Sequence, residues 1–350
     1  MLRQNKFFFP ALILILVIVL LCAISFGAVS IKILEMFSAL QHFLKGEKPV
    51  NIYEAVFLQI RLPRVLLCAV TGAILSASGV LTQGLFRNPI VEPGLVGTSA
   101  GAAFGASLVF VLSASLAPNI KALTGPFLVP LFAFAGGLLA TYIVYSLSKN
   151  MRKVSITSLL LIGIAVNAIG LSGTGFMSYL ARDPQARSIT FWSLGTFTGA
   201  SWMQFFITAS VAGIIFMIAL RYSKQLNALL LGEEEASYLG VDTDRLKRRV
   251  MILNTAMVSV ATAFVGVISF MGLIVPHVLR LLIGSDNKKL LPASMLAGAL
   301  LLTLADMGAR LLLDPAEIPI GIITSFVGAP IFILLLKKFN ILQEKGGFYA

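Results

Sequence analysis

Apolar stretches and short polar breaks alternate along this chain with near-regular spacing. Ten stretches lie near residues 7–29, 61–83, 93–113, 126–147, 155–180, 201–221, 248–268, 270–283, 291–313 and 319–336. Most approach the roughly 20 apolar residues that carry a helix across a hydrocarbon layer. None shows the two-residue alternation of a lipid-facing barrel strand. The pattern predicts an all-α, polytopic membrane protein with about ten spans, one transmembrane unit over residues 1–350. The seventh and eighth stretches run together and the eighth is short, so hydropathy alone also accommodates nine or eleven spans. The first stretch exceeds the roughly 7–15 apolar residues of a signal peptide and is expected to stay as a span.

The largest polar interruption runs from Tyr222 to Arg249. It holds Lys224, Glu233, Glu234, Glu235, Asp242, Asp244, Arg245, Lys247, Arg248 and Arg249. Its centre, L-G-E-E-E-A-S-Y-L-G, predicts a short helix closed by Gly240. A structured, charged loop on one face of a membrane protein is suited to meeting something soluble.

Composition sharpens this picture. Of 350 residues, 58% are hydrophobic and only 12% charged, against about 25% charged in soluble domains. The net charge of +12 would raise nucleic acid as a partner for a soluble protein. Here the positive-inside rule explains it without nucleic acid. With the N-terminus cytoplasmic and the spans alternating, only nine of the 27 basic residues lie outside: Lys32, Lys45, Lys48, Arg61, Arg64, Lys121, Arg182, Arg187 and Arg310. Both termini and the 222–249 island then face the cytoplasm. Cys22 and Cys68 sit in apolar stretches and read as small buried hydrophobes.

The motifs of an enzyme are missing. No Gly-Lys dipeptide occurs, which excludes the usual phosphate loop, and the two histidines, His42 and His277, cannot form a paired-histidine zinc site. Any energy from nucleotide hydrolysis must therefore arrive through another subunit. Arg61 and Arg64, three apart, share one helix face at the outer mouth of the second span, where snorkelling anchorage is one reading. Pro89, Pro93 and Gly94 mark a turn between two spans. Asp306 and Arg310, four apart on one helix, read as a structural ion pair, because a lone carboxylate in lipid costs about 2.5–3.5 kcal/mol. Gly163, Asn167, Gly170, Thr174 and Met177 form one stripe of the fifth span, suited either to lining a passage or to close helix packing. His277 reads as structural, and Trp192 and Trp202 as interfacial belt anchors.

Several of these segments together resemble one family. R-L-P-R, Q-G-L-F-R-N-P and E-P-G-L-V-G-T-S-A-G at 61–101 are similar to the iron-chelate, haem and cobalamin uptake permeases of ABC importers. The likeness continues in L-G-E-E-E-A-S-Y-L-G-V, F-M-G-L-I-V-P-H-V-L-R-L-L-I-G, L-A-D-M-G-A-R-L-L and E-I-P-I-G-I-I-T-S-F-V-G-A-P-I-F, in order over nearly the whole chain.

The resemblance implies a type II ABC importer permease of ten spans in the cell membrane, working as a homodimer. It implies two separate ATPase chains inside, which carry ATP and Mg, and a substrate-binding protein docking outside. It assigns docking to Arg61, Arg64 and Arg310. It assigns ATPase coupling to residues 222–249, with Gly232, Glu233, Glu234, Ala236 and Gly240 matching best. A central passage with the fifth and last spans would involve Gly163, Asn167, Gly170 and Thr174, an inner gate at Ser155 and Thr157, and Thr324 and Ser325. No catalytic residue, metal site or cofactor on this chain is implied. An iron-siderophore or haem is the first expected cargo and cobalamin the second. The rival readings are an ion-driven secondary transporter, which needs ionisable relays at mid-membrane, and a membrane-embedded enzyme, which needs converging catalytic groups.

Overall fold

The computed structural model describes residues 6–27, 31–112, 127–150, 153–313 and 316–344; Lys121, assigned to a face above, lies outside them. The N-terminal half is helical in α1 (Phe8–Ser25), α2 (Ile33–Leu44), α3 (Ile52–Val56), α4 (Leu62–Phe86), α5 (Thr98–Leu112), α6 (Leu128–Leu147) and α7 (Ile156–Leu180). The C-terminal half continues with α8 (Gln185–Ser193), α9 (Trp202–Arg221), α10 (Ser223–Leu229), α11 (Glu233–Tyr238), α12 (Thr243–Val265), α13 (Met271–Ile283), α14 (Asn287–Leu311) and α15 (Ile320–Glu344). Among the described residues the only strand pairing is a two-residue antiparallel ladder, Lys149–Asn150 against Lys153–Val154. Helices suit a bilayer because they satisfy their own backbone groups where no water can.

Eight helices are long and apolar enough to cross a membrane, and α5 and α13 are shorter apolar ones. Together they are the ten stretches read from hydropathy. The 13 residues of α13 rise only about 20 Å, short of the roughly 30 Å hydrocarbon thickness. Its first turn lies beside the middle of α4, where Gly272 meets Gly79 and the Leu75 carbonyl. The chain is therefore non-helical at mid-membrane depth around Gly266–Phe270. The chain is irregular again over 87–97, and there the 3-10 turn Pro93–Val96 reaches the same depth: Pro93 packs on Gly272 and Glu92 accepts from Phe270 N–H. Irregular backbone at this depth is tolerated only when covered by protein.

α4 is the hub. It packs against α14, α12, α13 and α9, and 83% of its apolar window is buried, against 17% for α1 and α7. Small residues make this possible. A Cβ on Gly72 would collide with the Gly298 carbonyl of α14, and one on Gly79 with the Gly272 carbonyl of α13. Such backbone-to-backbone approach supplies packing energy where the lipid provides no hydrophobic drive.

At its N-terminal end α4 is continuous with α3 through a π turn, Phe57–Arg61. Leu62 N–H reaches back to the Phe57 carbonyl, which leaves the Leu58 carbonyl without its helical donor. Trp202 Nε1–H fills that vacancy at 2.9 Å. Trp192 is buried among Ala102, Ala103, Ala106 and Ala263. The aromatic-belt expectation is thus corrected for Trp192, which packs in the core, while the half-buried Trp202 at the start of α9 uses its N–H on a freed carbonyl. The loop before α3 is not irregular either. α2 buries Met36 and Ala39 against Phe57 and Leu58, and its His42 Nδ1 lies 3.2 Å from the buried Glu54 carboxylate.

Candidate functional site

Three candidate regions lie at different heights along α4. Arg64 starts α4 and meets Asp306 near the end of α14. At the opposite end, Gly84 faces Leu226 of α10 and Asn287 at the start of α14. α4 as a whole, 25 residues, spans about 37 Å, so the arginines and the 222–249 segment occupy opposite ends of the bundle.

At the arginine end the charges close on one another. Asp306 is 1% exposed. Its Oδ1 accepts from Arg64 Nη2 at 2.9 Å and Nε at 3.2 Å, and its Oδ2 accepts from Arg310 Nε at 3.1 Å. The Asp306–Arg310 pair is the one read from their spacing. Arg64 Nη1 also donates to Glu317 Oε1 at 2.8 Å, and Glu317 Oε2 accepts from Thr198 Oγ1 at 2.8 Å.

Arg61 and Arg310 turn to α1 instead. Arg61 Nη1 donates to the carbonyls of Ile24 and Ser25 at 2.7 and 2.8 Å. Arg310 donates to those of Ala23 and Phe26 at 2.9 and 3.2 Å. These carbonyls lie at the C-terminal end of α1, where intrahelical donors run out and partial negative charge gathers; that of Ser25 also accepts from Ile31 N–H at 3.2 Å. The three arginines thus tie α1, α4 and α14 together, and Arg61 and Arg64 are buried. Glu317, missed as a site residue, is the exposed member of the cluster. Burial pulls its carboxyl upward, but the hydrogen bond and charge of Arg64, with Thr198 and Arg310, hold it below the ordinary carboxylate range.

At the opposite end, α11 forms as its sequence predicts. Gly232 precedes it with φ +147 and Gly240 follows with φ +82. Val241 N–H reaches the Ala236 carbonyl and Gly240 N–H the Ser237 carbonyl, both at 2.9 Å. This double bond pattern needs a left-handed residue, which Gly supplies. Ala236 is fully buried and seats the helix on its own chain. Glu233 accepts from Lys247 Nζ of α12 at 2.6 Å, and the Lys247 side chain is only 3% exposed. Glu234 and Glu235 face out. Large apolar side chains are exposed beside them: Leu231, Tyr238 and Leu239 are 68, 87 and 64% exposed. Hydropathy does not assign faces on a six-residue helix, so these three were not legible.

Between the ends, Gly163, Asn167, Gly170 and Thr174 do not face open space. A Cβ on Gly163 would strike the Leu95 carbonyl, and one on Gly170 would press on Ala100 of α5. Asn167 Nδ2 donates to the Leu95 and Gly94 carbonyls at 3.0 and 3.4 Å, and Thr174 to its own helix at Gly170. The stripe braces α7 against α5 and the 3-10 turn. Ser155 caps α7, accepting from Ser158 N–H at 3.3 Å, and Thr157 is exposed beside it. On α15, Thr324 is buried beside Phe270, Ile274 and Ile323, and Ser325 is half-buried.

Known proteins share this sequence and architecture. The profile of the FecCD transport family matches residues 14–338. The hemin transport system permease HmuU of Yersinia pestis is 38% identical over 335 residues, covering 96% of each chain. The vitamin B12 import permease BtuC of Vibrio parahaemolyticus is 37% identical, over 85% of this chain and 87% of its own. Among solved structures, a metal-chelate type ABC transporter in an inward-facing conformation superposes with a TM-score of 0.81 at 31% identity, covering 94% of this chain and 98% of its own. PsaBC from Streptococcus pneumoniae, at 18% identity and a TM-score of 0.54, shares the fold alone. The chain is a membrane-spanning permease subunit of an ABC importer, whose ATP hydrolysis resides in separate subunits, and it belongs to the FecCD transport family.

Proposed function

We propose that this permease imports a bulky iron complex, with hemin the first candidate and cobalamin the second. The observation that carries the reading is the whole-chain superposition on a metal-chelate transporter, joined to 38% identity with a hemin permease over 96% of both chains. The working unit is a homodimer in the cell's inner or plasma membrane, with both termini cytoplasmic. Two ATPase subunits, which bind ATP and Mg, sit on the α11 end, and a binding protein docks on the Arg61, Arg64 and Arg310 end.

Geometry refines each role. At the docking end, Arg64 already holds Glu317, so acidic groups of the binding protein compete with Glu317 for that guanidinium. Interface charges of this kind set register and on-rate more than affinity. At the coupling end, the Leu231, Tyr238 and Leu239 rim enters the ATPase groove, while Gly232, Glu233, Glu234, Ala236 and Gly240 shape and seat it. The passage runs along the dimer axis, gated by Ser155 and Thr157 and flanked by Thr324 and Ser325. Gly163, Asn167, Gly170 and Thr174 support α7 from behind. Alternating access follows when closure of the ATPases shifts α11.

The test is reconstitution of the permease with its ATPase and binding protein in liposomes. Hemin uptake that requires both ATP and the binding protein supports the reading. Uptake by the permease alone on a proton or sodium gradient overturns it. Thermal stabilisation of the binding protein by cyanocobalamin and not by hemin shifts the cargo to the second candidate.

A further inference from the structure

Three polar side chains tie down the short irregular stretch Glu92–Val96: the buried Asn254 and the half-buried Asn167 reach it from two different helices, and the half-buried Glu92 reaches out from the stretch itself. From α12, Asn254, 1% exposed, donates Nδ2–H to the Pro93 carbonyl at 3.4 Å while its Oδ1 accepts from Thr82 Oγ1 of α4 at 2.8 Å. From α7, Asn167 donates to the carbonyls of Leu95 and Gly94. From the stretch itself, Glu92 Oε1 accepts the N–H of Phe270 at 3.1 Å, at the start of α13. Phe270 holds the left-handed conformation, φ +69, without being glycine, and such a backbone persists only when its surroundings enforce it. Its side chain lies on α15, where a Cβ added at Gly328 would sit 2.8 Å from the Phe270 Cβ.

The stretch therefore touches the helices on both sides of the problem. α12 is the helix fastened to the coupling helix: Lys247 holds Glu233 of α11, and Asn254 lies seven residues further on, two turns up the same face. α7 and α15 are the helices that flank the passage in the reading above.

We propose that Glu92–Val96 is the joint through which displacement of α11 reaches α7 and α15, and that Asn254, Asn167 and Glu92 are the positioning residues that grip it. The inference deepens the coupling role proposed for α11 and rests on it. A shift of α12 carries Asn254 and, with it, the Pro93 carbonyl. The turn is too short to absorb the shift, so it passes to α7 through the two carbonyls held by Asn167. It passes to α15 through the Glu92–Phe270 bond. Satisfying four backbone groups at mid-membrane accounts for polar residues here. It does not account for their coming from the driven helix and the passage helix at once. A shared two-state element of this kind is the physical requirement for coupling between distant sites.

The test uses the full transporter, with ATPase and binding protein, in liposomes loaded for hemin uptake (cyanocobalamin where the unaltered transporter moves that instead). Uptake and ATP hydrolysis are measured on the same sample. Asn254→Ala and Asn167→Ala are each expected to lower cargo moved per ATP at least tenfold, with basal hydrolysis within twofold of the unaltered protein. The double variant is expected to lose no more than the worse single, because both residues serve one joint. Glu92→Ala is expected to behave like Asn254→Ala, whereas Glu92→Gln, which still accepts from Phe270, restores the ratio to within twofold. Multiplicative losses in the double variant overturn the proposal. So does a loss of uptake and hydrolysis in parallel with a lowered melting temperature, which marks a purely structural role. Leu239→Asp on the exposed rim of α11 separates the two claims. If it uncouples while the asparagine variants do not, the joint alone falls; if it leaves cargo per ATP unchanged, the coupling reading falls and the joint with it.

Discussion

The two ends of the bundle handle polarity in opposite ways. At the arginine end three guanidinium groups gather around the buried Asp306 and the more exposed Glu317, and each finds a carboxylate or the carbonyls at the end of α1. At the α11 end the charges flank a helix whose large side chains, Tyr238 and Leu239, point away from the protein. An ion-pair cluster closed in this way fixes helix positions and offers a partner little that is unclaimed. An exposed apolar rim on a rigid seat is an unfinished interface, of the type that aromatic anchors complete. The lesson is that the two ends would receive a partner in different ways: the closed cluster by exchanging one carboxylate for another, the open rim by covering apolar area.

Removing the centre of the closed cluster has the largest expected effect. Asp306→Ala leaves Arg64 and Arg310 buried with part of their partners gone, and losing one member of a buried pair costs about 3–5 kcal/mol. Denaturant or thermal unfolding in detergent checks this; a change within about 0.5 kcal/mol, the usual range for surface substitutions, removes the cluster's structural role. Next comes the open end. Tyr238→Ala with Leu239→Ala is expected to weaken ATPase association by about 2–4 kcal/mol, read as co-purification and affinity, with unchanged melting of the permease. Equal affinity moves the interface elsewhere on 222–249.

The smallest effect sharpens the contrast from the arginine side. Glu317→Gln removes the competing charge from Arg64 without emptying the cluster, and is expected to speed docking of the proposed binding protein by a few-fold at low salt. Glu317 also gives this end an acid sensitivity. Its folded carboxyl titrates below the unfolded one, so its contribution is present above the ordinary carboxylate range and is lost as pH falls through the folded value. In Glu317→Gln that part of the acid slope disappears.

Much of this was legible before any coordinates. Ten apolar stretches map onto eight long helices and two short ones, because spanning length and hydropathy are set locally. The Asp306–Arg310 pair and the Gly240 stop also follow from spacing of three or four residues. What was not legible depends on contacts across the chain. Pro93 announced a turn, but its depth beside Gly79 follows only from the close pairing of Gly79 with Gly272. Glu317 and Arg64 are 253 residues apart and meet only after α4 and α14 pack. Lys247 counted as one more cytoplasmic cation until α11 folded over it. The stripe on α7 had the right face but an ambiguous neighbour; small polar residues suit a tight helix contact as well as a wet one, and here the contact is tight.

The glycine pairs at Gly72–Gly298 and Gly79–Gly272 carry one more consequence. Helices that touch through their backbones have no side-chain cushion between them, so neither can roll about its axis without collision. α4 and α14 are then expected to travel as one rigid pair, with the first turn of α13 kept on α4. Rearrangement during a transport cycle is expected in helices not locked to α4 in this way, whose bulky side chains can exchange one set of rotamers for another.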